Sequence, residues 1–282
     1  MTNNDFGGAE PAPVRVMADF GAALDVFKVL MGLLLPSGLL GAMALMSGAA
    51  LVASVPMWVG RYLSARSALQ VLEGQYSAAG QYELLSAALQ MVSAALMLVV
   101  MAARLGLARP MRMVVLDGPT TVTGTGDALR LALGGFGPNL GICVVYALAV
   151  SAGSCLCFIP GIVAGVLLYP ALYLVATGRE VGGSLSLSVD WVSRHTGALL
   201  GTIGVLFAVG LILGCCNCCL GGFLAGDGAG SGPAPMTLVY LLPAGTVLGE
   251  LLSIVTLPFL ASGCIAADRV ESAPGGAPTG PF

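Results

Sequence analysis

Charge is nearly missing from this chain. Acidic and basic side chains make up 9% of its 282 residues, against roughly 25% in an ordinary soluble domain. Hydrophobic residues fill 57%, and the mean hydropathy is +0.95. A chain this poor in polar groups cannot cover itself with surface that water solvates. That excludes a soluble globular protein and makes lipid the solvent for much of the length. The net charge is only −3 and no basic patch is present, so nucleic acid is not an expected partner. There is one histidine, His195, and no HExxH, phosphate-binding glycine loop, nucleophile elbow or carboxylate pair. With no recognisable catalytic set, an enzyme is not expected, and neither is a cofactor. The first 20 residues lack the basic and apolar regions of a signal peptide, so no cleavage is expected. What the chain has in quantity is glycine, 41 residues scattered among apolar ones without a collagen period. In lipid that composition favours close helix packing.

Six apolar segments are long enough to cross a bilayer, each needing about 20 residues. They are Val29–Val55, Leu84–Ala103, Leu140–Phe158, Gly161–Ala176, Gly197–Cys219 and Met236–Ala266. The expected fold is all-α: an integral membrane bundle of six transmembrane helices with short interfacial amphipathic helices. A polar segment (1–20) precedes the membrane domain (21–266), and a Pro/Gly-rich tail (267–282) is expected to be disordered. Only Ile159 and Pro160 separate the third and fourth segments, which fits a tight helical hairpin. The last segment exceeds the need and is expected to tilt, or to break at Pro243 or Pro258. Trp58 to Gln81 mixes polar and apolar residues at helical spacing and reads as a short helix on the outer surface. Met111–Gly124 reads as a loop on the inner side.

Cations set the orientation. One side of the bundle carries Arg15, Lys28, Arg104, Arg109, Arg112, Arg130, Arg179, Arg194 and Arg269, and the other only Arg61 and Arg66. Both termini are therefore expected in the cytoplasm.

A faint three-fold repeat runs through the chain. Ala23-Leu24, Ala128-Leu129 and Ser186-Leu187 each open a short amphipathic stretch that leads into a span, and Arg104, Arg179 and Arg269 each follow an even-numbered span. The run from Ile159-Pro160-Gly161 to Val175, then Ser186-Leu187, Asp190-Trp191 and Gly197, resembles a bacterial group. These are multi-pass proteins related to the membrane domain attached to glycerophosphoryl diester phosphodiesterases. The match covers about 40 residues, with Ser186 and Asp190 standing where the pattern has Ala and Ser. The resemblance implies six helices. The soluble phosphodiesterase domain has no counterpart in these residues, so no phosphodiesterase activity is expected.

All but one of the charged residues lie between the apolar segments or at their ends. The exception is Glu250, near the middle of the sixth. An ionised carboxylate at the bilayer centre costs about 2.5–3.5 kcal/mol on insertion scales. With no cation expected at that depth, Glu250 is expected neutral or bonded to hydroxyls, facing the bundle interior. Gly245 and Gly249 just before it suit a close backbone approach. The residue reads either as interhelical glue or as a proton, cation or lipid contact.

Cys215, Cys216, Cys218 and Cys219 end the fifth segment, and Cys155 and Cys157 end the third. All six fall near the outer face and read as small packing residues, disulfides or a soft metal site, though the spacing matches no standard zinc pattern. Trp58 and Trp191 sit beside segment ends and read as interface anchors, and His195 as a headgroup contact. Two functions follow. One is a non-enzymatic scaffold or assembly protein of a bacterial inner membrane, whose partners are lipid and other membrane proteins. The other is a small transporter or permease subunit that uses Glu250 and helices broken near Pro36, Pro170 and Pro243.

Overall fold

A computed structural model of the protein describes residues 17–156, 158–209 and 234–272. Every regular element among them is helical. In order they are α1 (Phe20–Leu33), α2 (Leu39–Leu72), α3 (Tyr76–Leu105), α4 (Ala108–Leu116), a 3₁₀ turn (Pro119–Thr121), α5 (Thr125–Leu133), α6 (Phe136–Leu156), α7 (Phe158–Ala176), α8 (Val181–Arg194), α9 (Thr196–Val209) and α10 (Ala234–Glu271). Five stretches within these helices are long and apolar enough to cross a membrane, and a sixth exists only if α8 and α9, bent by 94°, count as one broken span. The expected fifth span, Gly197–Cys219, coincides with α9 as far as Val209, and its remainder lies outside the described residues. The stretch Ala79–Leu116 buries only 11% of its most apolar window. The rest is apolar enough to face hydrocarbon.

Three expectations fail, two of them because the helices outrun the bilayer and one because a short helix buries a face. The predicted surface helix at Trp58–Gln81 is instead the end of α2 and the start of α3, joined through Gly74 at φ 80°. At 34 residues, α2 is about 51 Å long, well beyond the ~30 Å hydrocarbon layer. Small residues hold this long hairpin shut. Ser64 and Ser86 hydroxyls meet at 2.7 Å, Ser67 donates to the Ala79 carbonyl at 2.9 Å, and Ser93 to that of Ala53 at 2.7 Å. The loop expected at Met111–Gly124 is helical through Leu116, because Met111 and Val114 bury one face of α4. The start of the tail expected to be disordered from Ala267 is helical instead: α10 continues to Glu271, with Ala267 and Asp268 buried, and residues 273–282 lie outside the described residues. Nor do prolines break the spans. α7 runs through Pro170, and α10 through Pro243 and Pro258, while Pro36 lies in the turn between α1 and α2.

The Pro-Gly hairpin is present, with Pro160 in the first turn of α7. A Cβ on Gly153 would lie 2.9 Å from the Gly161 Cα, so only glycine allows the two helices to meet there.

The three-fold repeat is visible in the order of elements. α1 leads into the α2–α3 hairpin and α5 into the α6–α7 hairpin, while α8 leads into α9. In each short helix the fourth residue is small and buried: Ala23, Ala128 and Ser184. Ser186, the residue expected from the sequence, is exposed, so the third unit starts two positions earlier. Seven residues after the small one, Leu30 in α1 and Trp191 in α8 fill matching core positions.

The main core lies at one pole of the bundle. Leu30, Leu39, Leu107, Met111, Val114, Ala128, Leu174, Trp191, Leu199 and Ile265 pack there, joining the amphipathic helices to the span ends. Backbone contacts are close in this collar. A Cβ on Gly106 would meet the Ala132 carbonyl oxygen at 2.0 Å, and one on Gly38 the Thr125 nitrogen at 2.3 Å. The helices that carry Lys28, Arg104, Arg109, Arg112, Arg130, Arg194 and Arg269 all bring them to this pole, whereas Arg61 and Arg66 lie on the far part of α2.

Candidate functional site

Glu250 lies on the face of α10 that meets α2, and it is 8% exposed. The neighbours on that face are polar too. Trp58 Nε1 donates to Thr246 Oγ1 at 3.2 Å, Ser253 Oγ donates to the Glu250 carbonyl at 2.6 Å, and the Ser47 and Ser253 hydroxyls meet at 3.3 Å. From the third helix of the group, α3, Arg104 Nη2 donates to Glu250 Oε2 and to Ser47 Oγ, the latter at 3.1 Å. Two opposite charges and two hydroxyls thus join α2, α3 and α10 at one point.

This corrects the expectation that Glu250 has no cation at its depth. Arg104 closes the apolar run of α3, and hydropathy therefore places it at the water edge. Glu250 falls mid-run in a helix of 38 residues, about 57 Å long, and the middle of so long a run is not the middle of the membrane. The expectation of an inward-facing Glu250 agrees with its burial. The close approach expected at Gly249 is not found, since nothing lies within 4 Å of a Cβ there. It occurs instead at Gly263, where a Cβ would stand 2.7 Å from Thr202 Oγ1 on α9.

Two further ties use the other acids at the end of α10. Asp268 Oδ2 accepts from Arg112 Nε on α4 and from the Tyr173 hydroxyl on α7 at 3.3 Å. Glu271 accepts from Trp191 Nε1 at 3.1 Å, while its Oε1 lies 3.5 Å from His195 Nε2. The other ring nitrogen of His195, Nδ1, accepts the Ala18 N–H at 3.2 Å. These contacts overturn two expectations. Trp191 is fully buried and His195 is 3% exposed, so neither is an interfacial group. Their polar atoms find partners on α10 and at the start of α1, which one sequence cannot bring together. Trp58 is half-buried and tied to α10, well inside α2 rather than beside a span end.

Of the thiols, Cys155 is free and exposed at the far end of α6. Cys157, Cys215, Cys216, Cys218 and Cys219 lie outside the described residues. Among the described residues no three of His, Cys, Asp and Glu converge as metal ligands.

Beside the Arg104–Glu250 pair opens a cavity of about 300 Å³, where the α2–α3 and α6–α7 hairpins meet α4 and α10. Met43, Met46, Met101 and Met111 supply much of its apolar wall, with Leu105, Leu172 and Leu257. Polar atoms come from Arg104, Ser47 and Ser253 on one side and from Tyr146, Tyr169 and Tyr173 on the other. Sequence reasoning missed the cavity. Its one local signal is the i, i+4 spacing of Tyr169 and Tyr173, which puts both on one face of α7.

No family model, curated protein or solved structure matches the chain. Its functional reading therefore rests on its own residues.

Proposed function

We propose that the protein is a non-enzymatic multi-pass membrane protein that scaffolds or assembles other components of a bacterial inner membrane. One observation carries this reading: every acid between Gly245 and Glu271 is engaged in a contact between helices. Glu250 binds α3, Asp268 binds α4 and α7, and Glu271 binds α8. Side chains held in this way serve architecture, and a charge fixed by a permanent partner is a poor proton carrier. The cations gathered at the collar support a cytoplasmic collar with both termini inside. The order of short helix and hairpin supports kinship with the membrane domain found attached to glycerophosphoryl diester phosphodiesterases. Lipid and other membrane proteins are the partners in this reading.

A second reading, a small transporter or permease subunit, is favoured by the cavity beside Arg104. Reconstitution of the full chain in liposomes with a pH-sensitive dye inside separates the two. A scaffold gives no proton-linked flux from the parent or from Glu250→Gln. A flux that a stably folded Glu250→Gln variant loses would replace the scaffold with the transporter.

A further inference from the structure

The cavity has a chemistry of its own, whether the protein scaffolds or transports. Arg104 presents its guanidinium to it, and among the described residues only Nη2 of that group has partners. Nε and Nη1 are left as spare donors of a residue that lines the cavity. Tyr146, Tyr169 and Tyr173 also line the cavity; the Tyr173 hydroxyl is committed to Asp268 and that of Tyr169 to Cys264, which leaves the Tyr146 hydroxyl as the donor from this group. Behind Arg104 stands Glu250, so the pair is neutral as a unit. An anionic headgroup drawn to Arg104 would sit close to the Glu250 carboxylate in a poorly screened site, where like charges repel strongly. A cation would meet Arg104 first. The wall accepts neither sign of charge readily, yet offers donors to a neutral acceptor.

Methionine lines much of the rest. Its unbranched, polarisable side chain adapts to ligand shape, as it does at promiscuous apolar surfaces. The volume of about 300 Å³ reaches the lower end of small-molecule pockets, roughly 300–1,000 Å³. Access is from the bilayer: Met101 lines the cavity and is 48% exposed on the lipid-covered helix α3.

We infer that this cavity binds a neutral, lipid-soluble molecule through a carbonyl or ester oxygen, held by Arg104 and the Tyr146 hydroxyl. Quinones and diacylglycerols both present that chemistry. The test uses the purified full chain, stripped of lipid in detergent, with decylubiquinone, dioctanoylglycerol or dioctanoyl phosphatidate as probe. Binding is read from the saturable rise in melting temperature, which grows with probe concentration over Kd. At least one neutral probe raises it, and phosphatidate binds ten-fold or more weakly than that probe. A response to the quinone alone identifies a ring-carbonyl site, and a response to the glycerolipid alone an ester site. Met101→Trp, which fills the mouth without touching the ion pair, weakens binding at least ten-fold. If that variant does not fold, Thr256→Trp on the α10 wall takes its place. The inference falls if neither neutral probe shifts the melting temperature, if phosphatidate binds as tightly, or if the folded Trp variant binds as the parent does.

Discussion

Arg104 on α3 and Glu250 on α10 form an ion pair that is largely hidden from solvent, with side-chain exposures of 17% and 10%. Burying either charge alone is unfavourable, and each is tolerated because the other is there. Removing one partner of a buried pair costs about 3–5 kcal/mol, whereas replacing both with apolar residues is often neutral. Glu250→Leu is therefore expected to destabilise the bundle by about 3 kcal/mol or more. Combining it with Arg104→Met should recover most of that loss. Unfolding of the four proteins in mixed micelles gives the coupling directly. Additive effects would mean that the two charges do not act as a pair.

The pair shows what one sequence can and cannot reveal here. Apolar runs are local, so most spans, the Pro160-Gly161 hairpin and the inward face of Glu250 are legible. The first span, however, runs over Leu39–Val71 and not Val29–Val55, whose start belongs to α1 and the turn after it. Depth is not legible. It depends on where a helix longer than the bilayer comes to rest, which its neighbours decide. Trp191 and His195 were misplaced for a related reason. Both flank a span, where interfacial residues are common, and only the fold shows α10 and the start of α1 closing over them. The repeat was legible as a rhythm of helices but slipped by two residues in its third unit, because Ser184 and Ser186 look alike until one of them is buried.

Trp191 fills the centre of the collar with no exposed surface, and its indole N–H is held by Glu271. Truncating a buried aromatic to alanine costs about 3–5 kcal/mol. Trp191→Phe keeps most of the packing but loses the hydrogen bond and leaves a Glu271 oxygen unpartnered, an expected loss of about 1–3 kcal/mol. A headgroup anchor would behave differently: its substitution would alter lipid association and barely change unfolding. Melting in detergent, where no bilayer interface exists, distinguishes the two.

Glycines here divide by what surrounds them. Gly106→Ala would drive a methyl into the Ala132 carbonyl, and forcing atoms into a packed contact costs about 1–3 kcal/mol or more. Gly32 on α1 has nothing within 4 Å of its Cβ position. There alanine is expected to stabilise, by up to about 1 kcal/mol, through helix propensity alone. Opposite signs at the two positions, measured by thermal unfolding, would establish that α3 and α5 touch through backbone.

The two poles of the bundle make a labelling experiment decisive for orientation. Cys155 is exposed at the end of α6 remote from the collar, while Lys28 is exposed on α1 within it, making only an i, i+3 contact with Asp25. An exposed pair of that kind adds little stability, so Lys28→Cys should fold normally. Replacing the seven other cysteines with alanine or serine leaves Cys155 as the sole thiol, and replacing all eight in a Lys28→Cys chain leaves one thiol at position 28. Among the described residues seven helix-borne cations lie near the collar and two beyond it, and the proposed orientation, with the collar in the cytoplasm, follows the positive-inside rule. A membrane-impermeant maleimide added to intact cells is expected to modify a chain whose sole thiol is Cys155. The chain whose sole thiol is at position 28 should react only after permeabilisation. The reverse pattern would invert the topology and put the cation-rich pole outside, and labelling of both would mean that the two positions do not lie on opposite sides of the membrane.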